Sequence, residues 1–239
     1  MTTLAPQLLS PSIDINTMSL LIVGKGPSAK KIKFNKEIIQ IGDKNYQTPP
    51  KLETASLNHA WQLFESPVDY GFMGDYINFE ELKQHDIKIV KNSIKRLVIP
   101  TFPLVYPHQQ QVNNGSGCLP AHIDYHYKDE QMSSIIDEIP YYLIQVENSP
   151  FINYGVETYP EISNSVSIGN IAVSFGLSRG FKHFILSGFD PEPEGEVYSD
   201  FYKYAKKKID SNSFNHYYQF SYAKMIEKII SSGCSYQRI

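Results

Sequence analysis

The chain has 239 residues, with 22 Lys and Arg against 25 Asp and Glu and a formal charge of -3, which supplies no global basic field for nucleic acid. It is long enough for one α/β domain with a sizeable core, and no run approaches the roughly 18 apolar residues of a membrane-spanning helix. Two cysteines, Cys118 and Cys234, are too few for a disulfide framework or a CxxC metal site and read as free thiols.

Residues 1–18 mix polar and apolar types without a basic stretch followed by an apolar one. They read as a loose N-terminal arm, with no signal peptide, so the expected location is cytoplasmic or peripheral at the inner face of a membrane. Residues 20–24 read as a buried strand, 37–42 (EIIQIG) as a second, 69–74 (DYGFMG) as a third and 87–90 (IKIV) as a fourth. Short apolar runs of this kind are the signature of a parallel sheet. Residues 96–99 (RLVI) extend it, and 100–150 then reads as an irregular insertion rich in Pro, Gly, Asn, Tyr and His. Order returns with a helix over 167–178 (SIGNIAVSFGLS), a strand within 181–190 (FKHFILSGFD), a polar lid over about 190–215 and a closing helix over 220–233 that ends at a glycine. The expected fold is α/β, a single Rossmann-like domain over 19–239 with a central, mainly parallel sheet and a lid segment.

The stretch "LLIVGKGPSAKKI", residues 21–33, predicts a strand, a glycine turn and a basic helix. A helix N-terminus offers unpaired N–H groups and a positive dipole end, both suited to a phosphate. Gly24 and Gly26 permit a tight turn close to a ligand, Pro27 fits a first helical position, and Ser28 adds a hydroxyl. A tight turn with no ligand explains the same residues. The segment is no Walker A loop and lacks the third glycine of a dinucleotide fingerprint. Open α/β sheets bind ligands beyond the carboxyl ends of their strands, and three further predicted strands end in Gly42-Asp43, Gly74-Asp75 and Gly188-Phe189-Asp190. Asp43 or Asn45, and Asp75 on the next strand, are candidates for a ribose or base. Each aspartate is equally a candidate helix N-cap.

The pair "IVGKGPSAKKI" and "SIGNIAVSFGLSRGFKHFILSGFD" resembles the bacterial sialyltransferases of glycosyltransferase family 42, and more distantly the MptE-like, DUF115-type Rossmann proteins. The resemblance covers roughly residues 20–46 and 165–230. It implies a metal-independent, inverting transfer of sialic acid from a CMP-activated donor to a glycan acceptor, with no cofactor, on a Rossmann-like domain of GT-A-variant type. Carried over position by position, it places Gly24, Lys25 and Gly26 against the nucleotide, with Lys25 where the family has an asparagine. Asp43 takes a ribose or base position and Asp75 its counterpart on the next strand. Ser167 and Gly169 match the turn over the nucleotide, and Gly188 and Asp190 the SGxD strand end. Tyr198 matches one of two leaving-group tyrosines, while Glu192 stands where the other is expected. His216 in "NHYYQFS" is the candidate base, with Phe220 where the family's catalytic histidine falls.

The stretch "AHIDYHYKDE", residues 121–130, spaces His122 and His126 four apart. Metal binding on a helix and acceptor contact through His122, Tyr125 and His126 are both compatible with it, and acceptor contact is the preferred reading. Trp61 reads as a core anchor. Two other functions stay open: an Mg-dependent pyrophosphokinase using Asp43, Asp75 and Asp190, and a nucleotide-binding accessory protein without turnover. The sequence leaves a homo-oligomer open.

Overall fold

Met18–Val23 (MSLLIV) forms β1, whose last five residues are buried, so it needs cover on both faces. Its side chains alternate as a strand requires: Leu20 and Ile22 join one core cluster, Leu21 and Val23 another. The computed structural model describes residues 17–73, 82, 85–101, 139–145, 167–190 and 211–239.

The strands that follow are β2 (Ile32–Phe34), β3 (Ile38–Ile41), β4 (Lys44–Gln47), β5 (Lys51–Leu57), β6 (Tyr70–Phe72), β7 (Leu97–Thr101), β8 (Tyr141–Gln145), β9 (His183–Ser187) and β10 (Ser235–Arg238). Seven of them make one sheet in the order β10-β9-β1-β5-β6-β7-β8, and every pairing in it is parallel. The α/β class with a central parallel sheet is therefore as the sequence predicts. β2, β3 and β4 form a separate antiparallel sheet.

Helices α2 (Ile168–Ser178) and α3 (Ser211–Ser231) cover one face of the large sheet. Ile171, Ala172 and Phe175 of α2 and Met225 and Ile229 of α3 pack with Leu20, Ile22, Phe184 and Leu186. Phe175 meets Tyr70 and Phe72 edge-on, at centroid distances of 5.0 and 5.5 Å, the geometry that ring quadrupoles favour. Each such fully buried side chain contributes about 1.5–3 kcal/mol of transfer free energy. At Gly176, a Cβ would come within 2.7 Å of the Phe184 ring and 2.9 Å of Leu20, so the missing side chain lets α2 lie close on the sheet. α3 ends in a Schellman turn: Gly233 has φ 68°, and Cys234 N–H reaches back to the Ile229 carbonyl at 3.1 Å. On the opposite face, the small sheet supplies Ile32, Ile39, Ile41 and Tyr46 against Leu21, Val23 and Ile185.

Four sequence expectations change. No helix follows the glycine turn; residues 29–31 lead into β2, with Ala29 buried against the small sheet. The predicted strand at 37–42 exists as β3, but in the antiparallel sheet: Ile39 and Ile41 are buried while Ile38 and Gln40 are half-exposed, the one-sided pattern of a strand wet on one face. Residues 87–90 belong to a helix, α1 (Ile87–Ser93). Asp86 caps it by accepting from the Lys88 amide at 2.8 Å, and the buried Val90 and Ile94 follow helical spacing while Ile89 is exposed. The irregular insertion assigned to 100–150 is overturned in part, because β7 runs to Thr101 and β8 adds an edge strand at 141–145. The strands missed altogether are β2, β4, β5 and β10, of which β5 lies in the middle of the large sheet. Trp61 is buried in the core as expected, and Cys234 is a free thiol.

Candidate functional site at the carboxyl edge of β9, β1 and β5

From β1 the chain builds the sheet outward in one direction through β5, β6, β7 and β8. It then returns to the other side of β1 with β9 and β10. The strand order therefore reverses between β1 and β9, and in open α/β sheets the crevice outside such a reversal is where ligands bind. Val23 is the last paired residue of β1, in register with Ser56 of β5 and Ser187 of β9. Two residues beyond these three stand Lys25, Asn58 and Phe189.

The two sequence blocks that carry the resemblance meet here. Gly24 N–H donates to the Ser187 carbonyl at 2.8 Å and Gly26 N–H to the Gly188 carbonyl at 3.0 Å. Asp190 Oδ2 accepts from both the amide and the hydroxyl of Ser28, each at 2.9 Å, a charge-assisted clamp across the seam. The glycines serve this knitting. A Cβ on Gly24 or on Gly26 would stand 2.6 Å from the Gly188 carbonyl oxygen, and one on Gly26 would also collide with the Asp190 carboxylate. Three amides of the predicted phosphate loop are thus spent inside the protein, and the dipole of a following helix is missing because no helix follows. Pro27 sits in the turn over Gly26–Ser28.

The helix whose N-terminus does approach this edge is α2. Ser167 is its N-cap, accepting from the Asn170 amide at 3.3 Å. The same hydroxyl lies 2.6 Å from Ser221 Oγ, and the buried Asn170 Nδ2 bridges Ser167 Oγ and Ser221 Oγ, both at 2.8 Å. This polar knot ties the first turn of α2 to α3. The ring of Phe189 closes the gap between helix and turn, since its edge lies 2.9 Å from where a Gly169 Cβ would be and 3.7 Å from that of Gly24. Gly169, Ser167, Gly188 and Asp190 are therefore brought together with Gly24–Ser28, as the sequence anticipates. Their visible roles are packing, capping and clamping.

Asp43 and Asn45 are not part of this group. Gly42-Asp43 is the two-residue hairpin turn between β3 and β4, where Gly42 takes φ 57° as such turns require, and Asp43 is exposed. The second strand of the large sheet is β5, and the residue at its carboxyl end is Asn58. This asparagine is 6 % exposed and has φ 52°, a left-handed conformation uncommon outside glycine and enriched in Asn. Held backbone strain in a polar residue beside a ligand edge points to a functional role. The signal was present as Asn-His closing "KLETASLNH". It was hidden because Glu53, Thr54 and Ser56 break the apolar run. In the fold Glu53 accepts from the Tyr70 hydroxyl at 2.5 Å. Thr54 donates to Asp69 at 2.9 Å, and Lys95 holds that carboxylate's other oxygen at 2.7 Å.

Asp75, His122, Tyr125, His126, Glu192 and Tyr198 lie outside the described residues. His216 falls within α3, its side chain likewise outside. Phe220 is exposed on the same helix, at 57 %. No helix among the described residues is long and apolar enough to cross a membrane. Among them, no group of three His, Cys, Asp or Glu side chains is placed to hold a metal ion.

Fold and edge together define an open, parallel-sheet α/β protein whose strand order reverses between β1 and β9. No family model matches the chain, and no curated protein sequence matches it. Among solved structures, the monofunctional α-2,3-sialyltransferase Cst-I from Campylobacter jejuni aligns with 96 % of this chain and 78 % of its own, at 14 % identity and a TM-score of 0.46. The sialyltransferase CstII from the same organism, in complex with the substrate analogue CMP-3FNeuAc, aligns with 92 % and 80 %, at 13 % identity and a TM-score of 0.44.

Proposed function

We propose that the chain is an inverting glycosyltransferase that holds a CMP-activated, sialic-acid-like donor at the carboxyl edge of β9, β1 and β5 and passes the sugar to a glycan acceptor. The observation that carries this reading is the hydrogen-bonded union of Gly24–Ser28 with Gly188–Asp190 at the strand reversal, because it joins in space the two blocks in which the sequence resembles such enzymes. Asn58, fixed at the next strand end, supplies a side-chain amide, with both a donor and an acceptor, for a base or ribose. A departing CMP carries phosphate charge that, without a metal, must be met by hydroxyls, dipoles or cations. In this proposal Lys25 and Tyr198 meet it, and His216 takes the proton from the acceptor hydroxyl. His122, Tyr125 and His126 contact the acceptor.

The Mg-dependent phosphoryl-transfer reading draws on Asp43 and Asp190, together with Asp75, which lies outside the described residues. Asp43 lies in the hairpin of the other sheet, and Asp190 is engaged with Ser28.

A thermal-shift series with CMP, CDP, UDP, GDP and ATP, each with and without Mg2+, tests the donor class. CMP is expected to raise the melting temperature equally in both conditions, since a ligand at 100 times its Kd adds about 2.7 kcal/mol to the folded state. A shift confined to Mg-ATP would replace the proposal with the phosphoryl-transfer reading. His216→Ala is expected to lower transfer by about a hundredfold or more while leaving the CMP shift in place; undiminished transfer removes His216 from the mechanism.

A further inference from the structure

His183 lies at the start of β9, on the amino-terminal edge of the sheet and away from the nucleotide crevice. It is 1 % exposed. In register it stands between Ser19 of β1 and Ser235 of β10. Its Nδ1 is 2.8 Å from Ser235 Oγ. Among the described residues its Nε2 has no hydrogen-bond partner, and the same is true of the neighbouring buried atoms Ser19 Oγ and Gln237 Oε1. On the same face stand the apolar Leu21, Leu52, Ile185 and Ile239, with the uncharged Thr54, Ser56 and Ser187 further along the strands. The polar groups facing the imidazole from β1 and β10 are thus uncharged. Lys182, the preceding residue, is exposed, and Arg238 is turned to the other face of β10, where it bonds Tyr222.

β10 is the edge strand, with three of its four residues exposed. Its attachment to β9 includes Ser235 N–H to the Lys182 carbonyl at 3.0 Å, Ile239 N–H to the Leu186 carbonyl at 2.9 Å, and the Ser235–His183 side-chain bond. A neutral imidazole satisfies that bond in either tautomer. An imidazolium adds a second N–H and a positive charge, buried with no carboxylate facing it from β1 or β10 and with Nε2–H unbonded in the observed geometry, a costly arrangement.

We propose that His183 is a protonation-sensitive latch on β10: neutral, it fastens the edge strand through Ser235; protonated, it leaves the sheet and β10 parts from β9.

Burial lowers the His183 pKa below its ordinary 6.5, with no neighbouring charge contributing. The open state therefore binds the proton more readily than the closed one. The latch is fully engaged above the ordinary value near pH 6.5 and is lost as the pH falls from there through the lowered value.

Hydrogen exchange of the full chain, corrected for intrinsic rates, tests this. Between pH 7.5 and 5.0, protection of the Ser235 and Ile239 amides is expected to fall at least tenfold relative to amides of β1 and β5. His183→Gln, which cannot titrate, is expected to flatten that ratio. Should this variant fail to fold, Ser235→Ala at an exposed position is expected to lower β10 protection at pH 7.5 toward the acid value. A pH-independent ratio in the unmodified chain, an unchanged pH dependence in His183→Gln, or equal loss across β1, β5 and β10 would each overturn the latch.

Discussion

Gly188→Ala is expected to destabilise the protein by about 3 kcal/mol, and Gly180→Ala by about 1 kcal/mol, in urea unfolding. Both glycines have positive φ, 70° and 85°, so the backbone penalty is shared. They differ in surroundings. A Cβ at Gly188 would stand 2.6 Å from the Gly24 carbonyl oxygen and 2.9 Å from the Ala29 Cβ, whereas at Gly180 nothing lies within 4 Å. The difference isolates the cost of prising the β9 end away from the Gly24–Ser28 turn. Loss of the CMP-induced thermal shift is expected to accompany Gly188→Ala and to be absent in Gly180→Ala. Equal destabilisation by the two would show that the seam yields freely, and with it the idea of a rigid ligand edge would fall.

Asn58→Gly separates backbone from side chain at the next strand end. Glycine adopts the observed φ of 52° without steric penalty, so this variant removes the amide and its contacts without adding backbone strain. CMP affinity is expected to fall at least tenfold, about 1.4 kcal/mol. Asn58→Ala is expected to lose the same affinity and about 1 kcal/mol of stability besides, from the strained backbone. Titration calorimetry with CMP on the two variants checks the affinities, and urea unfolding checks the stabilities. Unchanged affinity in Asn58→Gly would remove the residue from the site.

What the sequence made legible depended on how each segment is buried. β1, β9 and α2 have apolar patterns that match their burial, and all three fall where sequence reasoning puts them. β5 lies in the middle of the same sheet yet reads as polar, because Asp69 and Tyr70, the partners of its Thr54 and Glu53, stand 15 and 17 positions away. A local window does not reveal those bonds. Its loss shifted the count of strands, so the strand-end role fell to Asp43, when the large sheet puts Asn58 there. The helix at 87–93 was misread because four residues show no period; the Asp86 cap and the spacing from Val90 to Ile94 show it only in a longer window. The glycine turn reads as special from the sequence, but one packing reason for its glycines could not be read there. Its small residues make room for Gly188, Phe189 and Asp190, a constraint written 160 residues downstream.

The Ser28–Asp190 clamp joins positions 162 apart, which sets when in folding the site comes into being. Closing a segment of that length costs roughly 4–5 kcal/mol of chain entropy beyond a constant term, and long-range parallel pairings of this kind form slowly. The turn after β1 is synthesised first, and the residue that clamps it follows only 162 positions later. On the proposed function, nucleotide binding therefore reports on a finished β1–β9 pairing, and a chain arrested before β9 has the glycines without their partners at Gly188 and Asp190.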